Sequence, residues 1–511
     1  MSKKDSMVLN ETKLNRAKLW QIVLFTLNNS STNIYLFAFG FVVYYSTGLV
    51  GLTALFVSQI MGYIRIFDGV IDPAIGVLID KTDTKFGKYR PIMVLGNIIT
   101  VISFLVLFNI HGLGEGMKIP IFLLALVVHK IGYSLQATVT KAGQAALTSD
   151  PKQRPIFNIV DGWVTTLLFT GGQIVVANFL VPKYGGFTPE FFKVFIPGVM
   201  IISAVLGILA IIGIAEKDNK QYFGIGEKTT KTSFKDYWAI IKGNRPLQML
   251  TMAAAFVKFN AQMFGDQVVL MILFGIIFGN FGLSGTISLV LILPNLLFTT
   301  FAATIAQKRG LRYSYVRYLQ GAVVSLALLG GLLFFANPGD LSFSNVTLWT
   351  VAFTIIFACA KGFTSTPSGL ALTMAADVSD YETSVSGRYV SGMLSTMFSL
   401  TDSVASSFAP MSIGWILAAV GFAQAYPTAD TPLSPQLRLA GIVMISVLPL
   451  VGTLIALMFM KFYPLDKETM ESVQIKIAAM KQADPSEHDN EAEMPQAIPN
   501  AIPNAIPAVN D

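Results

Sequence analysis

Long apolar stretches, separated by short polar segments, recur from one end of the chain to the other. A helix needs about 20 apolar residues to cross the hydrocarbon core of a bilayer, and about twelve stretches reach that length. We place them at about 19–43, 52–79, 91–110, 119–148, 155–181, 190–215, 246–278, 284–306, 314–336, 346–374, 386–421 and 439–463. The pattern predicts an all-α membrane protein with about twelve transmembrane helices.

The longest polar interruption between the spans, at 217–245, separates six of them from six. This layout is typical of carriers built from two halves that move about a site at the membrane midplane. We therefore expect a six-helix half at 1–216, a cytoplasmic central loop at 217–245, a second six-helix half at 246–463 and a cytoplasmic tail at 464–511. The tail ends in an AIPN repeat at 497–508, whose regular prolines forbid a helix, so most of the tail is expected to be disordered.

The charges support this organisation. Only 13% of the 511 residues are charged, whereas about a quarter is usual in a soluble protein. Lysine and arginine concentrate in the N-terminal segment and in the loops after the second, fourth, sixth and eighth spans. Because short basic loops stay cytoplasmic, both termini are expected on the cytoplasmic side. The expected location is the inner (cytoplasmic) membrane, where the helices face the lipid bilayer. This placement accounts for the net charge of +6 and argues against a nucleic-acid partner.

The sequence shows no residue pattern typical of an enzyme active site. The single cysteine, Cys359, lies in an apolar run, and the three histidines are too scattered for a metal-ligand pattern. No nucleophile–base constellation or phosphate loop is apparent, and the Gly-rich GLGEG at 112–116 is interpreted as a turn between helices. We therefore expect no enzymatic activity and no cofactor.

Charged side chains inside predicted spans are functional candidates, since each costs at least ~2.5 kcal/mol to insert. The second span contains Arg65, Asp68 and Asp72, whose spacing of three and four places them on one helical face. Two carboxylates one turn apart could ligate Na⁺ or share a proton. The alternative is a structural network in which Arg65 only neutralises the acids.

Other polar groups at membrane depth have less certain roles. Lys141 and Asp402 come from opposite halves and are predicted to pair across a central cavity, either at the solute site or as a gating salt bridge. Lys130 is interpreted as lying near a membrane interface, where its ammonium group could reach water. A run of six polar residues at 28–33 predicts that some of them line an aqueous cavity. No role is assigned to the remaining intramembrane charges, which include Lys258, Asp266 and Lys361.

Two segments resemble a known family. They are FDGVIDPAIGVLIDKTDTKFGKYRP at 67–91 and ADVSDYETSVSGR at 376–388. Both are similar to the glycoside–pentoside–hexuronide:cation symporters of the major facilitator superfamily, which include the melibiose, lactose and glucuronide permeases. The resemblance extends over about 1–463 and leaves the tail outside.

The resemblance implies the major facilitator fold of two six-helix halves and assigns roles to residues. Asp68 and Asp72 would hold the coupling cation, with Arg65 as their basic neighbour. Na⁺ is the possible metal ion at this site. Two further groups would form cytoplasmic motifs that steady one face of the carrier. The first consists of Asp80, Gly87, Lys88 and Arg90. The second consists of Asp377, Asp380 and Arg388, in a loop between the tenth and eleventh helices.

The sequence departs from the family at the sugar-binding positions. Ala137 stands where a helix-four carboxylate is expected, and Lys141 replaces an aromatic residue. Because the helix-four acid is missing, a proton is favoured over sodium as the coupling ion. The residues assigned to solute binding are Asn29, Thr32, Ser134, Lys141 and Asp402.

The function that follows is cation-coupled symport of a glycoside, pentoside, hexuronide or related small polar solute by alternating access. Two alternatives stay open: a carrier of a non-sugar organic anion or amphiphile, and a transport-inactive ligand sensor. The expected partners are the solute, the coupling cation and the bilayer, and a monomer is the expected state.

Overall fold

The computed structural model describes residues 15–82, 84–148, 153–219, 242–337, 347–386 and 391–483. The regular structure in these ranges is helical, apart from one isolated bridge between Thr84 and Gly87. Twelve helical rods follow one another, and a thirteenth helix comes after them. The first six rods are α1 (Leu19–Phe39), α2 (Ala54–Lys81), α3 (Tyr89–Leu107), α4 (Glu115–Leu147), α5 (Arg154–Ile174) and α6 (Pro189–Ile214).

At their ends distant from the basic loops, α1 and α5 continue as short helical segments that include π-helix. Beyond α1 come Val42–Tyr45 and the π-helical Ser46–Val50. Beyond α5 come the π-helical Val175–Leu180 and the short helix Val181–Tyr184. A 3₁₀ turn at Ile110–Gly112 joins α3 to α4.

The second set of six rods is less regular. Several rods consist of two or three helical segments, and those of α7 and α8 bend by 49° and 42°. The bounds are α7 (Arg245–Gly265, Gln267–Leu270 and the π-helical Met271–Ile277), α8 (Gly282–Val290 and Ile292–Arg309), α9 (Leu311–Phe335), α10 (Leu348–Ser365 and Pro367–Ser386), α11 (Ser391–Ala419) and α12 (Pro435–Ile442, the π-helical Val443–Val447 and Leu448–Lys461).

The number of rods agrees with the predicted twelve spans. Among the described residues, nine stretches are long and apolar enough to cross a membrane, and the bent α7 and α8 raise this number to eleven. The one rod outside these eleven is α11, which has 29 residues and is therefore longer than a membrane span needs to be. It contains several serines and Asp402, packs against α2 and borders the centre of the molecule.

Close packing of α2 on α11 joins the two sets of helices. A Cβ added at Gly62 would lie 2.8 Å from the Ser407 carbonyl oxygen, and one at Gly69 would lie 3.0 Å from Cβ of Ser403. Glycine at these two positions lets the helices approach closely, and any larger residue would require the neighbouring groups to shift. Further along α2, towards the basic loops, a Cβ added at Gly76 would meet no atom within 4 Å. The two helices therefore separate in that direction.

The opposite end of the bundle is closed by contacts between the two sets. The Ala54 N–H donates to the Gln424 carbonyl at 3.0 Å, and the Tyr426 hydroxyl donates to the Ala54 carbonyl at 3.0 Å. The Gln173 amide donates to the Ser284 hydroxyl at 2.8 Å. With the sidedness that the basic loops predict, the outer end is closed and the space between the helices widens towards the cytoplasm.

One predicted boundary is wrong. The tenth span was expected to end at 374, with the motif at 376–388 in a loop, but α10 continues as a helix to Ser386. The loss of hydrophobicity after 374 marks where the helix leaves the apolar layer, and no glycine or proline stops it there. Arg388 lies outside the described residues.

The first part of the tail is also helical. A thirteenth helix, α13 (Lys467–Ala483), packs against α10, and its Val473 side chain is buried. The Asp466 carboxylate caps it by accepting hydrogen bonds from the backbone N–H and the hydroxyl of Thr469, at 2.9 and 2.7 Å. These hydrogen bonds lower the pKa of Asp466. The proline-rich repeat, predicted to be disordered, lies outside the described residues.

Candidate functional site

A cavity of about 530 Å³ lies at the centre of the molecule, between the two sets of six helices. Its size is within the range of sites that enclose small molecules. Both sets contribute charged residues to its wall, which is unusual for a protein interior and still more so at membrane depth. The charged residues in the wall are Arg65, Asp68, Lys130, Lys258, Asp266, Lys361 and Asp402.

Asp68 forms a salt bridge with Lys130 of α4, whose ammonium nitrogen lies 2.6 Å from Oδ2. The two side chains are only 22% and 7% exposed. The ammonium group also lies over the rings of Phe39 and Tyr133, 5.4 and 5.0 Å from their centres. The interpretation of Lys130 as an interfacial residue is therefore wrong: it lies inside the protein.

The neighbouring groups on α2 have different partners. Asp72 accepts a short hydrogen bond from the Ser134 hydroxyl of α4 and is absent from the cavity wall. Arg65 does line the cavity, and within the described residues it forms no hydrogen bond or ion pair. The charges of Asp266 and Asp402 act on it from other helices, and that of Asp68 acts on it from its own helix. The three charges predicted on one helical face therefore have different surroundings. Asp68 is in a buried ion pair, Asp72 accepts from a hydroxyl group, and Arg65 lines the cavity without an ion pair among the described residues.

A cation site built from carboxylates alone is not evident in the described part of the chain. It contains no group of three or more His, Cys, Asp or Glu side chains placed to hold a metal ion. Hard cations bind with several oxygen ligands, and one oxygen of Asp68 is already taken by Lys130. The other oxygen, Oδ1, is buried and has no hydrogen-bond partner among the described residues.

The predicted pair between Lys141 and Asp402 is not present. Asp402 instead pairs with Lys258 of α7 at 3.1 Å, in the cavity wall, with the side chains 40% and 33% exposed. Lys141 is exposed and does not line the cavity. It lies eleven residues beyond Lys130, about 16 Å along α4 towards the basic end, which takes it away from the central layer.

The polar run on α1 forms hydrogen bonds within its own helix and with neighbouring helices, and it does not line the cavity. The Thr32 hydroxyl is buried and donates to the Asn28 carbonyl at 2.9 Å. Asn29 donates to Asp161 of α5 at 2.7 Å, and Ser31 bonds to Ser203 of α6. Asn29, Thr32 and Ser134 are all absent from the cavity wall. Of the residues predicted to bind the solute, Asp402 is the one that lines it.

Several residues of the wall were given no role from the sequence. Asp266 lies at the bend in α7, where its carboxylate accepts from the Val268 N–H at 2.9 Å and caps the next helical segment. Gln267 follows it, and Asn295 of α8 and Lys361 of α10 complete this side. The charged members were recognised in the sequence as intramembrane charges, from the cost of their burial, but without a role.

The motif after α2 is held by a residue that the sequence did not reveal. Asp218, just beyond α6, accepts hydrogen bonds from the backbone N–H groups of Lys88, Tyr89 and Arg90 at 2.8–3.1 Å. Its side chain is fully buried, and it also pairs with the Arg90 guanidinium at 3.3 Å. Gly87 has φ = +98°, and a Cβ there would collide with the Asp218 carboxylate. Three donors at the start of α3 thus bind one anion.

The second motif is held more loosely. Asp380 of α10 accepts from Gln474 of α13 at 2.7 Å in an exposed contact. Glu382 accepts from Asn244, the residue before α7, at 2.7 Å. Asp377 lies on the same helix, and Asp80 lies in the last turn of α2.

The sequence matches the model of a family described as MFS/sugar transport protein over residues 26–467. It is 22% identical over 473 residues to the glucuronide carrier protein homolog of Escherichia coli K12, covering 91% of this chain and 96% of the relative. It is 24% identical to the isoprimeverose transporter of Lactiplantibacillus pentosus, covering 84% of both chains. A lactose permease of Leuconostoc lactis is 26% identical, over 55% of this chain and 47% of that protein.

Solved transporter structures share the fold. The nucleoside transporter NupG superposes with a TM-score of 0.59 at 12% identity, covering 87% of this chain and 99% of NupG. A bacterial homologue of the lysosomal transporter Spinster, in an inward-facing unoccupied conformation, gives 0.56 at 15% identity, covering 90% and 98%. At such low identity these likenesses establish the architecture alone.

Proposed function

Since this chain belongs to the MFS/sugar transport family, we propose that it is a secondary active symporter that moves a glycoside, pentoside, hexuronide or related polar solute together with a proton. The family confirms the resemblance found in the sequence. The chain is a multi-pass membrane transporter with the major facilitator fold, and it is not an enzyme. The named substrates of its relatives, a glucuronide, isoprimeverose and lactose, support a sugar-like solute.

The observation that supports coupling is the Asp68–Lys130 salt bridge in the wall of the cavity. A proton needs only one carboxylate oxygen, and its arrival would end the attraction that holds Lys130. Sodium would need several oxygen ligands and would have to displace the ammonium group from the same carboxylate. The pair therefore favours a proton as the coupling ion.

The cycle we propose follows from the packing. From the outer side, protonation of Asp68 would free Lys130, and solute binding would stabilise an occluded state. Closure of the outer end, through contacts such as Ala54–Gln424 and Gln173–Ser284, would accompany separation of α2 from α11 at the basic end. Loss of the solute and the proton to the cytoplasm would restore the salt bridge and permit return.

A second candidate is a carrier of a non-sugar organic anion. The cavity wall favours it because four cationic side chains face three anionic ones. Both candidates use the same fold and the same cavity, so only the solute separates them.

The test is solute-dependent proton movement in sealed proteoliposomes, measured with a pH-sensitive dye, with and without sodium. Glycosides, hexuronides and non-sugar organic anions would be added in turn. Proton entry with a sugar in sodium-free buffer is the expected result. Proton entry only with non-sugar anions would select the second candidate, and a strict sodium requirement would reject proton coupling. Binding without flux of any solute would indicate a sensor instead.

A further inference from the structure

A lysine that has no counter-ion among the described residues lies in the wall of the central cavity. Lys361 belongs to α10 and lines the cavity. Its ammonium group forms no salt bridge or hydrogen bond with any residue in the ranges that the structure describes. A cationic group at this depth is expensive unless an anion accompanies it, so its position calls for a ligand.

The other cations of the wall already have anionic neighbours. Lys130 pairs with Asp68 and Lys258 pairs with Asp402. Arg65 lies in the field of three carboxylates. With all groups charged, the described wall has one positive charge in excess, and Lys361 is where it is not compensated.

Two acceptor oxygens of the same wall also lack partners. Oδ1 of Asn295 and Oε1 of Gln267 are buried and accept no hydrogen bond from the described residues. The amide nitrogen of Gln267 is used, since it donates to Gln173 at 3.1 Å. Buried acceptors without donors are rare, and hydroxyl groups of a solute would satisfy them. Water could satisfy two acceptors but could not neutralise the ammonium group.

We propose that Lys361 is an anion-binding subsite and that the solute is a polyhydroxylated compound with one carboxylate. The carboxylate would pair with Lys361, and hydroxyl groups would donate to Asn295 and Gln267. The inference rests on the proposed transport function and narrows its solute to acidic members of the sugar class.

The experiment compares two probes that differ only at this group: methyl β-D-glucuronide and methyl β-D-glucoside. Binding to the purified full chain in nanodiscs would be measured by isothermal titration calorimetry, and flux separately in proteoliposomes. We expect the glucuronide to bind about 10- to 100-fold more tightly, the ratio typical of a hydrogen bond between charged groups.

The variants isolate the lysine. Lys361→Gln should remove the preference by lowering the affinity for the glucuronide to that for the glucoside, whereas Lys361→Arg should retain most of the preference. Lys193→Gln, which removes an exposed lysine of α6, is the matched control for net charge and should behave like the parent. Thermal unfolding of each variant would show that the protein is folded.

The subsite is wrong if the glucuronide does not bind, if both probes bind equally, or if the preference persists in Lys361→Gln. Lys361-dependent binding without flux would support the subsite and reject transport. Flux of both glycosides without a charge preference would support transport and reject the subsite.

Discussion

The two walls of the cavity differ in how their charges are satisfied. In the wall from the first six helices, Asp68 and Lys130 form a pair at 2.6 Å that is mostly buried. In the opposite wall, the Lys258–Asp402 pair is longer, at 3.1 Å, and more than a third of the Asp402 side chain is exposed. That wall also contains Lys361 and the unpaired oxygen of Asn295. Within the described residues, the first wall holds its ion pair tightly and leaves Arg65 without one, whereas the second wall holds its pair loosely and leaves Lys361 without a counter-ion.

The same contrast recurs at the basic end of the molecule. There Asp218, fully buried, binds three backbone N–H groups in the first set of helices. In the second set, Asp380 accepts from Gln474 at the surface. We infer that the first set is the rigid, ion-handling half and that the second set adapts to the solute. Each prediction below tests one side of this comparison.

The largest effect is expected from Asp68→Asn. It should abolish solute accumulation against a gradient, a loss on the order of 100-fold or more, because the proton site is gone. It also leaves Lys130 buried without its partner, which typically costs about 3–5 kcal/mol of stability. The double variant Asp68→Asn with Lys130→Met should regain stability but not accumulation. Uphill uptake that survives in either variant would contradict the coupling role.

Gly87→Ala should destabilise the first set of helices by about 2 kcal/mol or more. Its positive φ disfavours any side chain, and the new Cβ would displace the Asp218 carboxylate from its N–H donors. Thermal unfolding of the purified protein would measure the loss. Gly116→Ala is the control, since a Cβ there meets nothing within 4 Å. Equal melting temperatures for the two variants would show that the Asp218 contact is unimportant.

Asp402→Asn should reduce solute uptake only several-fold and leave proton coupling intact. Pairs with this much exposure contribute about 1 kcal/mol or less, because water screens them. The ratio of protons to solute, measured in proteoliposomes, should stay at the parent value. A loss of coupling as complete as that of Asp68→Asn would remove the proposed difference between the walls.

The smallest effect is expected from Asp466→Ala at the start of α13. Loss of the cap should cost about 1 kcal/mol locally. Because its hydrogen bonds lower the pKa of Asp466, the stabilisation is present above the usual aspartate range and disappears as the pH falls through the lowered value. Hydrogen exchange in 467–483 at neutral and acidic pH would show this, with uptake unchanged. Protection that is equal in the variant and the parent would reject the cap.

The sequence predicted the architecture because membrane spans depend on local hydrophobicity, which a linear pattern records. It also singled out Asp68 correctly as a buried charge, since cost alone identifies such residues. The ion-pair partners were harder to predict. Pairing Asp402 with Lys258 rather than with Lys141 would have required knowledge of depth along α4 and of the bend in α7. Asp218 escaped notice because its role depends on the approach of α6 to α3, which no local pattern encodes.

The neutral Asp68–Lys130 pair has a consequence for the response to membrane voltage. While the pair is closed, it presents no net charge, so the return of the empty carrier is insensitive to voltage at this position. When a proton neutralises Asp68, the charge of Lys130 is no longer balanced. An inside-negative potential of 100 mV would then favour its inward movement by at most about 2.3 kcal/mol. The salt bridge would therefore let the electrical gradient, as well as the pH gradient, act on the loaded carrier alone.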